Sequence, residues 1–296
     1  MYYRRKVILA LLESFNGELG KISFQKLLFL FTRHQEKPAF DFVPYNFGCF
    51  SFQSYADMRT MMKYEMVSED KENEKWEKTD KNNYTSTLTA KDKQVLLYIK
   101  NKFGKSTKEE LIEYTYKNYP FYALKSTIAK NVLNKAELKT VKDTVAENNE
   151  TILYTIGYEG ISLETYLNKL ILNNIKMLCD VRKNSLSMKY GFSKSQLQKA
   201  CENLNIKYLH IPDLGIDSDK RQSLNSQNDY DRLFKEYAKT TLVTKKTSVH
   251  EVLDILESNK RIALTCFEAH ECQCHRGTLA KAITQLPEWK YELKHL

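Results

Sequence analysis

The residues best suited to chemistry in this 296-residue chain lie in its second half. Cys266-Phe-Glu268 is followed shortly by Cys274-His275-Arg276. Upstream come Gly157-Tyr158-Glu159-Gly160, Asp180-Val-Arg182 and Pro212-Asp-Leu-Gly215. Arg182 and Arg276 are of the type that clamps a phosphate or carboxylate through paired N–H donors. Arg276, with His275, opens an expected last helix, whose free N–H groups already favour negative charge. Asp180 and Glu268 could serve as general base or acid. A thiol at Cys266 or Cys274, beside His275 and a helix start, would have a lowered pKa, as a nucleophile needs.

Each cluster also has a plainer reading. Gly157 and Gly160 could simply permit a tight strand-to-helix turn, and two glycines three apart fall short of the three-glycine dinucleotide fingerprint. Asp180 and Arg182 could be a structural ion pair. Cys179 and Cys201, in a strand and on an apolar helix face, read as inert core thiols. Cys266, Cys272, Cys274 and His275 invite zinc, but structural sites pair their ligands in two separated knuckles and no second knuckle follows. No metal or other cofactor is therefore expected.

The elements around these residues change character along the chain. From residue 152, short β-branched runs alternate with helical patterns. Strands are expected at 152–156, 175–179, 206–211 and 261–265, and helices at 163–172, 193–203, 230–240, 249–258 and 276–285. Such alternation predicts a mainly parallel, Rossmann-like sheet of four or more strands covered on both faces. Every chemistry-bearing cluster then follows a strand, at the sheet edge where open α/β folds bind ligands. Before residue 142 the pattern is mostly helical. Val7, Ile8, Leu11 and Leu12 and then Phe24, Leu27, Leu28 and Phe31 recur at three- and four-residue spacing. Ser23 is a candidate N-cap without a capping box, and Thr107, with Glu109 and Glu110 behind it, is a better helix start. The charged run 70–83 reads as a surface loop or hairpin arm. The polar stretch 142–150 reads as the boundary, giving a helical domain at 1–148 and an α/β domain at 149–296.

Composition is that of an ordinary globular chain, with 42% hydrophobic and 28% charged residues, which excludes wholesale disorder. No run approaches the length of a membrane-spanning helix, and the basic start is a poor signal peptide, so a cytoplasmic location without membrane contact is expected. The six cysteines are not spaced as a secreted disulfide framework. The net charge of +9 is spread evenly, +5 before residue 150 and +4 after it. It is compatible with a nucleic-acid or nucleotide partner but does not specify one.

The combination Thr155-Ile-Gly-Tyr-Glu-Gly160, Asp180-Val-Arg182 with Ser185 and Gly191-Phe192, Tyr208, Leu214-Gly215, Cys266-x-Glu268 and Cys274-His-Arg276 resembles the domain-of-unknown-function 488 family over about residues 152–290. The resemblance implies the fold and a residue set, to which it adds Ser185, but no substrate. Two features depart from the family: the loop after Arg182 reads Lys183-Asn-Ser-Leu-Ser without the usual proline, and Cys272 adds a thiol. The N-terminal stretches Ile22-Ser-Phe-Gln-Lys-Leu-Leu-Phe-Leu30 and Phe42-Val-Pro-Tyr-Asn-Phe-Gly-Cys-Phe-Ser51 are similar to the Panacea or SocA-like domain of antitoxins and proteolytic adaptors. That similarity implies a helical, winged-helix-like module gripping a protein or nucleic-acid partner. The expected function is a hydrolase or transferase acting on nucleic acid or nucleotide. Asp180, Cys266, Glu268, Cys274 and His275 would be catalytic, and Gly157 to Gly160, Arg182, Ser185, Gly215 and Arg276 would bind substrate, in a setting of stress or phage defence. The alternative is a non-catalytic antitoxin-like or adaptor protein.

Overall fold

A computed structural model describes residues 1–146, 148–221, 224 and 226–296. Glu147, inside the stretch read as the boundary, lies outside the described residues. The chain divides into two compact units, Met1–Thr144 and Val145–Leu296.

The first unit is built on α1 (Tyr3–Ser14) and α2 (Lys21–His34), with β1 (Glu18–Gly20) between them. All residues from Val7 to Leu12 and from Phe24 to Thr32 are buried, so both are central helices rather than one-sided surface ones. The short hairpin β2 (Val43–Tyr45) and β3 (Gly48–Phe50) precedes α3 (Phe52–Lys63). Next comes the hairpin β4 (Val67–Asp70) and β5 (Lys75–Lys78), whose β5 also pairs antiparallel with β1. The charged run is thus a hairpin arm, but its Trp76 points inward and is fully buried. Ser23 is not the N-cap of α2: the helix starts two residues earlier, at Lys21, because the Lys21 N–H is held 2.8 Å from the Glu74 carbonyl as β1 leaves the sheet. Thr107 does cap a helix. It opens α5 (Lys108–Asn118) with a reciprocal capping box to Glu110, after α4 (Ala90–Phe103). The short α6 (Ala129–Val132) and α7 (Lys135–Asp143) complete the unit.

The second unit is a five-stranded parallel sheet. Its strands are β6 (Ile152–Gly157), β7 (Met177–Asp180), β8 (Lys207–His210), β9 (Arg261–Cys266) and β10 (Glu292–His295), in spatial order β10-β6-β9-β7-β8. Its helices are α8 (Leu163–Leu172), α9 (Lys194–Glu202), α10 (Gln227–Lys239), α11 (Thr241–Thr244), α12 (Lys246–Asn259) and α13 (His275–Thr284). Four strands and the helices between them lie where the alternation predicts. β10 does not: its sequence Glu-Leu-Lys-His gives no strand signal, and the strand forms by adding to the edge of β6.

Side-chain alternation sorts the sheet into two faces. Leu153, Cys179, Ile262 and Leu264 share a core with residues of α10, α12 and α13. On the other face, Tyr166 of α8 donates 2.8 Å to Thr265 of β9. The neighbouring strands β6 and β9 send the chain in opposite directions, to β7 and to β10. Right-handed crossovers make these connections leave toward opposite faces, opening a crevice at the carboxyl ends of the strands.

Candidate active site

The crevice holds a cavity of about 450 Å³. Its wall combines Cys266 and Phe267 from the end of β9, Arg182, Lys183 and Lys189 from the segment after β7, and His275 from the start of α13. No Asp or Glu is among the described lining residues. A lining whose charged side chains are all cationic suits an anion, although Arg182 is paired with Asp180 and the exposed Lys183 lies 3.9 Å from Asp217.

Cys266 projects from the last position of β9, on the face covered by α13, and is completely buried. Its Sγ lies 3.6 Å from Nδ1 of His275 and 3.4 Å from Oε2 of Glu268. The other ring nitrogen of His275, Nε2, is 2.9 Å from the carbonyl oxygen of Val181. A carbonyl can only accept, so Nε2 carries the proton and the neutral ring presents the Nδ1 lone pair to the thiol. The backbone of the loop after β7 thus orients the imidazole as the third group of a catalytic triad does.

Cys274 is the N-cap of α13 and is also fully buried. The position beside a helix start and His275 predicts a low thiol pKa; instead burial pushes the Cys274 thiol well up, and the hydrogen bond with Cys266 pushes the same way. Desolvation dominates because a thiolate buried at this position would lose its hydration, which penalises the charged form. Cys272 is the exposed thiol of the loop.

Asp180 and Arg182 form a buried ion pair on the opposite face of the sheet edge. Asp180 accepts from the backbone N–H, Nε and Nη2 of Arg182 and from the hydroxyl of Tyr208, 2.5 Å away. Burial, and then the Asp180 charge, push the Tyr208 hydroxyl well above its usual range, so it stays a donor. Both Asp180 oxygens are thus engaged by Arg182 and Tyr208, and the carboxylate holds the Arg182 guanidinium in place. Arg182 also donates from Nη1 to the Tyr158 hydroxyl, 2.7 Å, and to the Phe192 carbonyl, 2.9 Å. The Tyr208 hydroxyl also lies within hydrogen-bond reach of the guanidinium, so the N–H donors of Arg182 are taken up by protein groups and its charge, not a free fork, faces the cavity.

Arg276 is corrected more fully. It is buried and lies behind the cavity, donating from Nη1 to the carbonyl of Glu268 and from Nη2 to that of Ala269. Its work is to fix the loop that carries Phe267 and Glu268. The glycine turn is likewise occupied: the N–H groups of Tyr158 and Glu159 both donate to the Phe267 carbonyl, and the Glu159 carboxylate accepts from Ala269 N–H at 3.0 Å. Gly157 has to lack a side chain, because a Cβ there would sit 1.8 Å from the Glu268 carbonyl oxygen. The turn therefore braces the β9 loop instead of cradling a phosphate, although the Tyr158 ring itself reaches the cavity. Ser185 is half-buried and Gly215 permits close approach of the Lys183 backbone; neither lines the cavity.

The lysines after β7 and one backbone carbonyl escape sequence reasoning, whereas Tyr158 was expected at the site. Lys183 and Lys189 belong to an unremarkable polar loop, and Lys189 reaches the site by donating 2.5 Å to the Tyr158 carbonyl, with burial lowering its pKa. The Val181 carbonyl is a backbone group, for which no residue type could signal. Tyr158 stacks on Phe192 at 4.2 Å and meets Phe267 edge-on at 5.3 Å, which makes an aromatic rim.

No curated protein and no solved structure matches the chain. Residues 162–283, which include every described residue lining the cavity except Tyr158, match the family model of a domain of unknown function, DUF488.

Proposed function

We propose that the second unit is a cysteine-dependent hydrolase or transferase acting on a phosphate-bearing substrate, a nucleotide or nucleic acid. On this reading the first unit, as a winged-helix-like recognition module, selects substrate or partner. The observation that carries the reading is the Cys266–His275 contact, its ring fixed by Val181, opening on a cavity lined by Arg182, Lys183 and Lys189. The thiol proton of Cys266 passes to His275 Nδ1 as Sγ attacks the electrophilic atom of the substrate. The bond to the leaving group breaks, and the leaving group takes the proton back from the imidazolium. Water, giving its proton to His275, then cleaves the bond to sulfur and restores the thiol. The lysines hold the anion, while Phe267 and Tyr158 offer an aromatic surface to a base.

A second reading rests on a specific observation. Ligand atoms of Cys266, Cys274 and His275 all lie within 4.8 Å of one another and are buried. Two thiolates and one imidazole are a suitable donor set for zinc with a fourth position toward the cavity, and the His275 bond to Val181 is the outer-shell support such ligands have.

Product release from a panel of nucleoside phosphates and short DNA and RNA strands tests both. The nucleophile reading expects Cys266→Ala to lose roughly 10³-fold or more in rate, with Cys274→Ala retaining most of it. Equal turnover by Cys266→Ala would end that reading. Equimolar zinc in the purified chain, lost in both variants, would replace it with the metal reading.

A further inference from the structure

The first unit has a cavity of its own, about 210 Å³, opening between α2, the β2–β3 hairpin and β5. Five aromatic residues contribute to its wall: Tyr45, Phe47, Phe50, Tyr55 and Trp76. Tyr45 and Phe50 stack at 4.9 Å, and Tyr55 meets Trp76 edge-on at 5.6 Å. The wall is thus a packed shell. A cavity near 150 Å³ lined by apolar side chains accommodates benzene, so this one has room for a single ring with a small substituent.

Three charged residues also line it: Lys21, the exposed Glu74, and Lys26, which alone of the three is buried. Lys26 projects from the middle of α2, 1% exposed. Its Nζ donates to the Phe47 carbonyl and lies 3.5 Å from Sγ of Cys49. Burial keeps the Cys49 thiol protonated by pushing its pKa up, so neither partner carries negative charge. An ammonium in this position has no carboxylate partner: beyond the Phe47 carbonyl and Cys49 it meets only the face of the Tyr116 ring, 5.8 Å to the centroid, so its burial is not offset by a counter-ion. Lys21, at the mouth, is already paired with Glu69 at 2.5 Å, so it does not compete for an anion inside.

We propose that this cavity is a binding site for a small aromatic carboxylate, whose ring lies among Tyr45, Phe50, Tyr55 and Trp76 and whose carboxylate pairs with Lys26. The ligand supplies the missing counter-charge, while its ring replaces water against the aromatic shell. The site lies wholly within the first unit and does not depend on the reading of the Cys266 cavity.

Trp76 makes the test direct. The chain has two tryptophans, so Trp289→Phe leaves Trp76 as the sole indole reporter. Titrating that full-length variant with benzoate and phenylacetate should give saturable changes in Trp76 emission. The matched amides, benzamide and phenylacetamide, should bind at least about tenfold more weakly, a difference of about 1.4 kcal/mol. Adding Lys26→Met should abolish the preference for acid over amide. The acid–amide comparison needs no change at residue 26, so it stands even if Lys26→Met misfolds. Equal binding of acids and amides, or no saturable response to either acid, would overturn the proposal and leave Lys26 as a tie for the Phe47 carbonyl. Saturation by an acid that survives Lys26→Met undiminished would overturn it as well.

Discussion

The Cys266 thiol meets groups of different character, a carboxylate at Glu268 and a ring nitrogen at His275, whose other ring nitrogen is held by the Val181 carbonyl. Arg276 shows how far residue type can mislead at the same edge. Sequence marks it as an anion clamp, whereas both terminal nitrogens serve loop carbonyls and Nε has no partner among the described residues. Arg276→Met should therefore lower stability by about 3 kcal/mol, since two charge-assisted bonds are lost and two carbonyls left bare. A thermal melt of the second unit would read this, and a midpoint unchanged from the parent chain would return Arg276 to the ligand-binding set. Lys26 gives a pH signature. Burial lowers its pKa below 10.5, so between the folded value and 10.5 the unfolded chain binds more protons than the folded one. Stability of the first unit should rise with pH across that window, because the burial penalty on the charged form disappears. Cys49 titrates on the same contact, but its thiol stays protonated to higher pH than usual. Lys26→Met should flatten the rise, measured as denaturation midpoints followed by Trp76; an identical slope in both chains would contradict the assignment.

At the scale of elements, strand-then-helix alternation was sufficient to place β6 to β9 and the helices between them, because buried parallel strands carry short apolar, β-branched stretches such as Ile152-Leu-Tyr154 and Ile262-Ala-Leu264. β10 was not legible, since an edge strand can be polar and take its conformation from the neighbour it pairs with. The start of α2 was misread for a related reason: the pairing of β1 with β5, not a side-chain cap at Ser23, sets where the helix begins. The turn after β6 was legible as a turn, but its partner was not, because contact with the β9 loop spans about 110 residues of chain. Two glycines in it should respond differently to alanine. Gly160 has φ +75° with open space around it, so Gly160→Ala should cost about 1–2 kcal/mol for the left-handed conformation alone. Gly157→Ala drives a methyl into the Glu268 backbone and should cost about 3 kcal/mol or more, displacing the loop that carries the cavity wall. Melting both variants side by side checks the order, and a Gly157→Ala chain as stable as Gly160→Ala would mean that the loop moves aside freely.

Over the whole molecule, composition said least about the site. The surplus of positive charge is even between the two halves, yet Arg182, Lys183 and Lys189 come from one short segment after β7 that lines a cavity with no carboxylate among its described lining. What leaves no local trace is their meeting with Cys266 and His275, which lie about 80 residues further along the chain. The two units, by contrast, each carry the means to fold separately. The first buries Val7 to Leu12 and Phe24 to Phe31 against Met58, Met61 and Trp76, and the second buries its sheet between Leu153, Leu264, Val252 and Leu279. Each is of the length at which a single core normally suffices. Fragments 1–144 and 145–296 should therefore each unfold cooperatively when expressed alone. Trp76 reports the first and Trp289 the second, so their transitions can be compared with those of the full chain by the same fluorescence measurement. Midpoints within a few degrees of the full-length values are expected, because the buried residues named here have their partners within their own unit. A fragment that loses its cooperative transition would show that its core is completed by the other half, and would shift the account of that half from an independent module to part of a joint one.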